Sequence, residues 1–91
     1  MLEKQFDEKM IEAVWRKSLF VPGYTWRKDQ QCGAPIKREE YGNRESKYGW
    51  EIDHINPVGS DNLENLQPLQ WENNVAKSDS RGGRWTCAVT G

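Results

Sequence analysis

The sequence predicts an α+β fold, and three observations carry that prediction. The first residues repeat apolar side chains at helical spacing, residues 20–48 are punctuated by glycine and proline, and residues 49–80 read in order as strand, loop, strand and helix. The chain has 91 residues, which allows one domain, 1–91. At this size only about 60% of the unfolded chain's surface is buried, so large side chains must supply much of the core. Five tryptophans, Trp15, Trp26, Trp50, Trp71 and Trp85, are the candidates, each worth about 150–250 Å² when buried.

Residues 1–19 form the first segment. Leu2, Phe6, Met10 and Val14 recur every fourth residue, and Ile11 and Trp15 widen the stripe, so one amphipathic helix is expected from Glu3 to Lys17. Val21-Pro22-Gly23 stops it. Residues 20–48 hold Gly23, Gly33, Pro35, Gly42 and Asn43 without a sustained period, which predicts short strands and loops. Gly49 to Ile55 alternates, with Trp50, Ile52 and His54 on one side and Glu51, Asp53 and Ile55 on the other, as a strand does. Asn56-Pro57 ends it and a polar turn, Gly59-Ser60-Asp61-Asn62, follows. Asn65 to Gln70 carries Pro68 and is too short for a helix, so it is expected as a second strand at a sheet edge. Trp71 to Ser80 lacks glycine and proline and reads as a helix with Asn74 and Lys77 on one face. In the tail, 81–91, Arg81-Gly82-Gly83-Arg84 reads either as a DNA-contacting arm or as a linker before Trp85 packs back.

No apolar run approaches the roughly 20 residues of a membrane span, and the N-terminus lacks a basic-then-apolar leader. A cytoplasmic protein with no membrane partner is therefore expected. Cys32 and Cys87 could pair, but without an export signal they are expected as reduced thiols. The net charge of −1 excludes a uniformly basic nucleic-acid binder. Residues 1–12 carry four acids against two bases, and residues 13–91 ten against eleven. Bases come in pairs along the chain, Arg27-Lys28 and Lys37-Arg38 among them. Interleaved with aromatics, they form either a phosphate-binding face or a mixed solvated surface.

The one histidine of the chain stands beside an aspartate, Asp53-His54. A single histidine excludes a zinc site built on two or three histidines. A hard-cation site remains, because magnesium takes a few protein oxygens and completes its shell with water and phosphate. An imidazole, ordinarily near pKa 6.5, can accept a proton from water at neutral pH. Asn65 follows His54 by eleven residues, and Asn74 follows Asn65 by nine, three before Lys77.

Three stretches, Glu51-Ile52-Asp53-His54-Ile55-Asn56-Pro57, Asn65-Leu66-Gln67-Pro68-Leu69 and Asn73-Asn74-Val75-Ala76-Lys77-Ser78-Asp79, occur in order. Together they resemble the HNH endonuclease family in its variant with asparagine at the third position. The series is similar to the HNH domain of the RNA-guided CRISPR nucleases, and the upstream Cys32-Gly33, Lys37-Arg38, Tyr41-Gly42-Asn43 and Tyr48-Gly49-Trp50 to small bacterial and phage HNH proteins. The resemblance implies a ββα-metal (His-Me finger) core over 49–80 behind an added N-terminal helix. It implies Asp53 and Asn74 as ligands of one divalent cation and His54 as the general base. Asn65 would orient His54 by hydrogen bonds within the loop or to the His54 backbone. Lys77 would meet a phosphate or cap its helix. Arg27, Lys28, Lys37 and Arg38 are the further DNA-binding candidates.

The implied activity is metal-dependent hydrolysis of DNA phosphodiesters, nicking one strand with low sequence specificity, by a monomer. Many HNH proteins add a structural zinc on two Cys-x-x-Cys pairs, but the corresponding positions here hold Cys32 with Pro35 and Gln70 with Asn73. No structural zinc is expected, and the aromatic residues with the N-terminal helix should brace the domain instead. Asparagine in place of histidine at position 74 shifts the expected metal toward Mg2+ or Mn2+. The alternatives are a non-catalytic nucleic-acid-binding module on the same fold, and a small partner protein of a larger phage or host assembly.

Overall fold

A computed structural model describes residues 6–91. Asp7 starts the first helix by accepting a hydrogen bond from the Met10 N–H at 2.9 Å, so α1 runs Glu8–Trp15. The expected helix began at Glu3. Phe6 and Asp7 lie outside α1 because the Asp7 carboxylate caps it, and the part of that expectation on residues 3–5 lies outside the described residues, as does Leu2. At the other end Arg16 and Lys17 form a turn rather than a further helical turn.

The middle stretch is a minimal hairpin, β1 (Arg27–Lys28) against β2 (Pro35–Ile36). Leu19 bridges to Lys28 and returns the chain from α1 to the hairpin. A single 3₁₀ turn, Arg38–Glu40, follows. Gly49 then sits so close to the backbone of Asn43 that a Cβ at 49 would overlap the Asn43 carbonyl.

The second hairpin pairs β3 (Trp50–His54) with β4 (Leu66–Gln70), antiparallel, with Asp53 opposite Gln67 and His54 opposite Leu66. A 3₁₀ turn over Leu63–Asn65 shortens the expected second strand by one residue. Without a connecting loop, α2 (Trp71–Asp79) begins at the end of β4. The Gln70 side chain makes that abrupt change possible by accepting from the Glu72 and Asn73 N–H groups at 2.8 and 3.2 Å. The expected order of strand, loop, strand and helix is therefore present, in an α+β arrangement of two helices and two small antiparallel sheets. Among the described residues no helix is long and apolar enough to cross a membrane.

Strand alternation sends β3 to two different neighbours. Trp50, with Ile52 packed beside it, joins Ile11, Val14, Trp15, Ile36 and Leu66 in the apolar core against α1. Glu51 and Asp53 face α2, where Asn74 and Lys77 meet them. Of the five tryptophans, Trp50 and Trp15 are buried and stack at 5.4 Å between ring centres, while Trp26, Trp71 and Trp85 are only half-buried.

Two expectations about bracing are corrected here. Cys32 and Cys87 are not reduced thiols but a disulfide, closing a separation of 55 residues. The aromatic side chains and α1 do not brace the domain alone either. Asp29 is fully buried and accepts from the Cys32 N–H (2.8 Å), the Gln70 N–H (3.0 Å) and the Asn73 amide (3.2 Å). Asn73 in turn accepts from the Ala88 and Val89 N–H groups and donates to the Val89 carbonyl. Residues 32, 70 and 73 are thus tied through one carboxylate, and the disulfide adds residue 87 to the same junction.

The other charged tie is between Arg38 and α1. Arg38 binds Glu12 at 2.9 Å and Glu8 at 3.0 Å, and Arg16 adds a second partner for Glu12. Arg38 first, then Arg16, hold the Glu12 carboxyl below its ordinary value of 4.5, with burial opposing them. A carboxyl lowered in the folded state contributes stability that is complete above its unfolded pKa and lost as pH falls through the folded one. The stability difference between the wild type and Arg38→Ala, measured by urea unfolding, should therefore be present at pH 7 and narrow as pH falls below 4.5. Asp29→Ala, which strands the buried Gln70 N–H and the half-buried Cys32 N–H and takes one of two acceptors from the Asn73 amide, should cost about 3 kcal/mol in the same assay. A loss of a few tenths would mean that Asp29 does not anchor the fold.

Candidate active site

The end of β3, one face of α2 and the turn after α2 enclose a cavity of about 710 Å³, lined by Asp53, His54, Asn74, Lys77 and Arg81 among others. Asp53 is 8% exposed. Its carboxylate accepts from Gln67 on the neighbouring strand at 2.9 Å and lies 3.2 Å from the Lys77 ammonium. Gln31 donates to the Gln67 amide oxygen at 3.0 Å, which leaves the Gln67 NH2 directed at Asp53. Lys77 also donates to the His54 carbonyl at 2.9 Å. Lys77 thus neither caps α2 nor stands free, but ties the helix to the end of β3.

Asn74 lies one turn before Lys77 and donates its amide NH2 to Glu51 at 2.8 Å. Its amide oxygen makes no hydrogen bond to another described residue. Glu51 is clamped by Arg44 through two hydrogen bonds of 2.6 and 2.9 Å. Burial pushes the Glu51 carboxyl up, but the hydrogen bonds from Arg44 and then Asn74 outweigh it, and the net shift is downward.

His54 has a partner that the sequence reading missed. Its Nε2 lies 2.6 Å from Asp61 Oδ1, on the loop between the strands. An ionised carboxylate only accepts, so Nε2 carries the proton in the neutral ring and Nδ1 holds the lone pair. Asp61 was visible in the sequence only as an acid in a polar turn, where solvent exposure is the usual fate. Asn65 resolves the alternatives left open for it. It accepts from the Asn56 N–H at 2.9 Å and donates to the Asn56 and Ser60 carbonyls, while its own carbonyl accepts from Ile55. It therefore orders the loop that carries Asp61.

The structure brings Asp53, His54, Asn74 and Lys77 to one cavity and leaves the other basic candidates away from its lining. Arg38 is engaged with Glu8 and Glu12. Arg27 lies over the rings of Trp15 and Phe20 at 5.7 and 5.6 Å, Lys37 lies over Tyr48 at 4.5 Å, and Lys28 belongs to β1. Arg81 was read only as part of an arm or linker. It adopts φ +54°, followed by Gly82 at +87°, and this left-handed pair bends the chain so that both line the cavity. Trp85, with Ile55 and Pro57, lines a smaller adjoining hollow.

The donor set can be tested against the cation that the sequence resemblance implies. Among the described residues no group of three or more His, Cys, Asp or Glu side chains could hold a metal. An all-protein cage is not what a magnesium-type site requires, since one or two protein oxygens with water and phosphate suffice. Asp53 and Asn74 both line this cavity, and a carboxylate with an amide oxygen is a donor set that fits that requirement, with Lys77 as the competing positive charge on Asp53. No family model, curated protein or solved structure matches the chain.

Gly59 is required by the packing of the loop, because a Cβ there would stand 2.6 Å from the Asn65 amide nitrogen. Gly59→Ala and Asn65→Ala should each cost about 1–3 kcal/mol and raise amide hydrogen exchange across residues 56–62. Unchanged exchange in both variants would show that Asn65 does not order this loop.

Proposed function

We propose that the chain is a metal-dependent DNA endonuclease of the HNH class, with asparagine at the third motif position, which nicks duplex DNA with low sequence specificity and acts as a monomer. One observation carries the reading: Asp53, His54, Asn74 and Lys77, the residues that the resemblance nominates, line one cavity together with Arg81.

Asp53 and Asn74 would hold one Mg2+ or Mn2+ ion, which when bound supplies positive charge to the non-bridging and departing oxygens of the phosphate. His54 takes the proton of the attacking water on Nδ1, with the Asp61 carboxylate holding the ring and stabilising the imidazolium that forms. The water oxygen bonds to phosphorus as the bond to the 3′ oxygen breaks, and that oxygen takes a proton from solvent, leaving a 5′ phosphate and a 3′ hydroxyl, while the imidazolium of His54 returns its proton to solvent. Lys77 and Arg81 put two cationic side chains on the same cavity, where a phosphodiester's oxygens would lie.

One feature favours a second reading, a non-catalytic module that binds nucleic acid. The Lys77 ammonium already balances the charge of Asp53 at 3.2 Å, so the site is electrostatically complete without a cation. Cleavage of supercoiled plasmid separates the two. With Mg2+ or Mn2+ the wild type should convert supercoiled DNA to the nicked circle, and His54→Ala should lose about 100-fold or more in rate. Asp61→Ala should lose about 10–100-fold. Plasmid left intact across metals and protein concentrations, or nicking retained by His54→Ala, would overturn the nuclease. DNA binding without cleavage would then point to the module, and no DNA affinity to a partner protein.

A further inference from the structure

Strand β3 and helix α2 meet through two matched contacts. Glu51 and Asp53 are two residues apart on one face of the strand, Asn74 and Lys77 three apart on one face of the helix, and the pairs join as Glu51 to Asn74 at 2.8 Å and Asp53 to Lys77 at 3.2 Å. The second contact belongs to the site already described. The first has no role in the reaction as written. Both Glu51 oxygens are occupied, Oε2 by Arg44 at 2.6 Å and Oε1 by Arg44 at 2.9 Å and by Asn74. Glu51 is largely buried, at 16% side-chain exposure, and does not line the cavity. It is therefore not itself a ligand.

We propose that Glu51, clamped by Arg44, is a positioning residue that fixes the rotation of the Asn74 amide so that its oxygen, and not its NH2, is presented to a cation in the cavity. An amide is a ligand only through its oxygen, and its two ends have nearly the same shape. Nothing steric prevents it from turning the NH2 toward the cavity, where it would repel a cation. A carboxylate that accepts from Nδ2 removes that choice, and the fork of Arg44 removes the freedom of the carboxylate in turn. Asn74 follows a fully buried Asn73 in α2, so the backbone beneath the amide is already fixed. What is left to set is the orientation of the side chain, and Glu51 holds it through Nδ2. The inference rests on the proposed cation site but is separable from it.

Two measurements on the full chain test it. In the metal-free protein, the Asn74 side-chain NH2 resonances should show slowed exchange with solvent, and Glu51→Ala should abolish that protection. By calorimetric titration with Mn2+, Glu51→Ala should bind about tenfold more weakly than the wild type, with both proteins folded at the temperature used. Asn74→Asp supplies the decisive background. Both oxygens of an aspartate are ligands, so its rotation no longer matters and Glu51 becomes only a repulsive neighbour. Adding Glu51→Ala to Asn74→Asp should leave Mn2+ affinity unchanged or raise it. An equal tenfold loss in both backgrounds would show a merely structural role and overturn the proposal, as would wild-type Mn2+ affinity in Glu51→Ala while Asn74→Ala has lost binding. If the wild type and Asn74→Ala show the same Mn2+ affinity, the cation site itself fails. The NH2 protection would then still report whether Glu51 orients Asn74.

Discussion

The Asp29 carboxylate is the constraint on which the rest of the structure depends. It is fully buried, and a buried charge is tolerated only when strong donors replace its water. Three do so, from the turn after β1, the last residue of β4 and the first turn of α2. One side chain therefore sets where the small hairpin, the large hairpin and α2 stand relative to one another. Asn73 passes the constraint to residues 88 and 89, and the Cys32–Cys87 disulfide closes the same triangle covalently. The candidate site depends on this junction, because Asn74 and Lys77 meet Glu51 and Asp53 only while α2 is held at the start of its first turn.

Charge is organised in the same economical way. The near-zero net charge is not a random mixture of exposed signs. Arg38 and Arg16 take up Glu8 and Glu12, Arg44 takes up Glu51, and Lys77 takes up Asp53. Several bases that in the sequence resembled a phosphate-binding face are occupied holding elements together or lying over aromatic rings. With Lys77 engaged by Asp53, Arg81 is the further cationic side chain on the cavity lining.

Much of this was legible along the chain, and the exceptions share a cause. The strand at 50–54, the strand ending at Gln70 and the helix beginning at Trp71 follow from alternation, the proline at 68 and a run free of helix breakers. The shared helix face of Asn74 and Lys77 follows from three-residue spacing. The partner of His54 did not, because an acid seven residues away in a polar turn is indistinguishable from a solvated one until the loop is closed by Asn65. The start of α1 was misplaced because periodicity extends through Phe6, whereas the Asp7 carboxylate, a local competitor for backbone N–H groups, decides the boundary.

The sequence by itself determined the class of fold and the order of its elements from β3 to α2, since these are encoded in short-range spacing. Tertiary structure alone decided which side chains meet. It joined Cys32 to Cys87, buried Asp29 among donors from residues 32, 70 and 73, turned Arg38 inward to α1, and brought Arg81 to the cavity. Each of those outcomes is a contact between residues far apart in the chain or a turn set by packing. Its energy comes from desolvation and hydrogen bonding in the folded state, and local pattern carries no record of it.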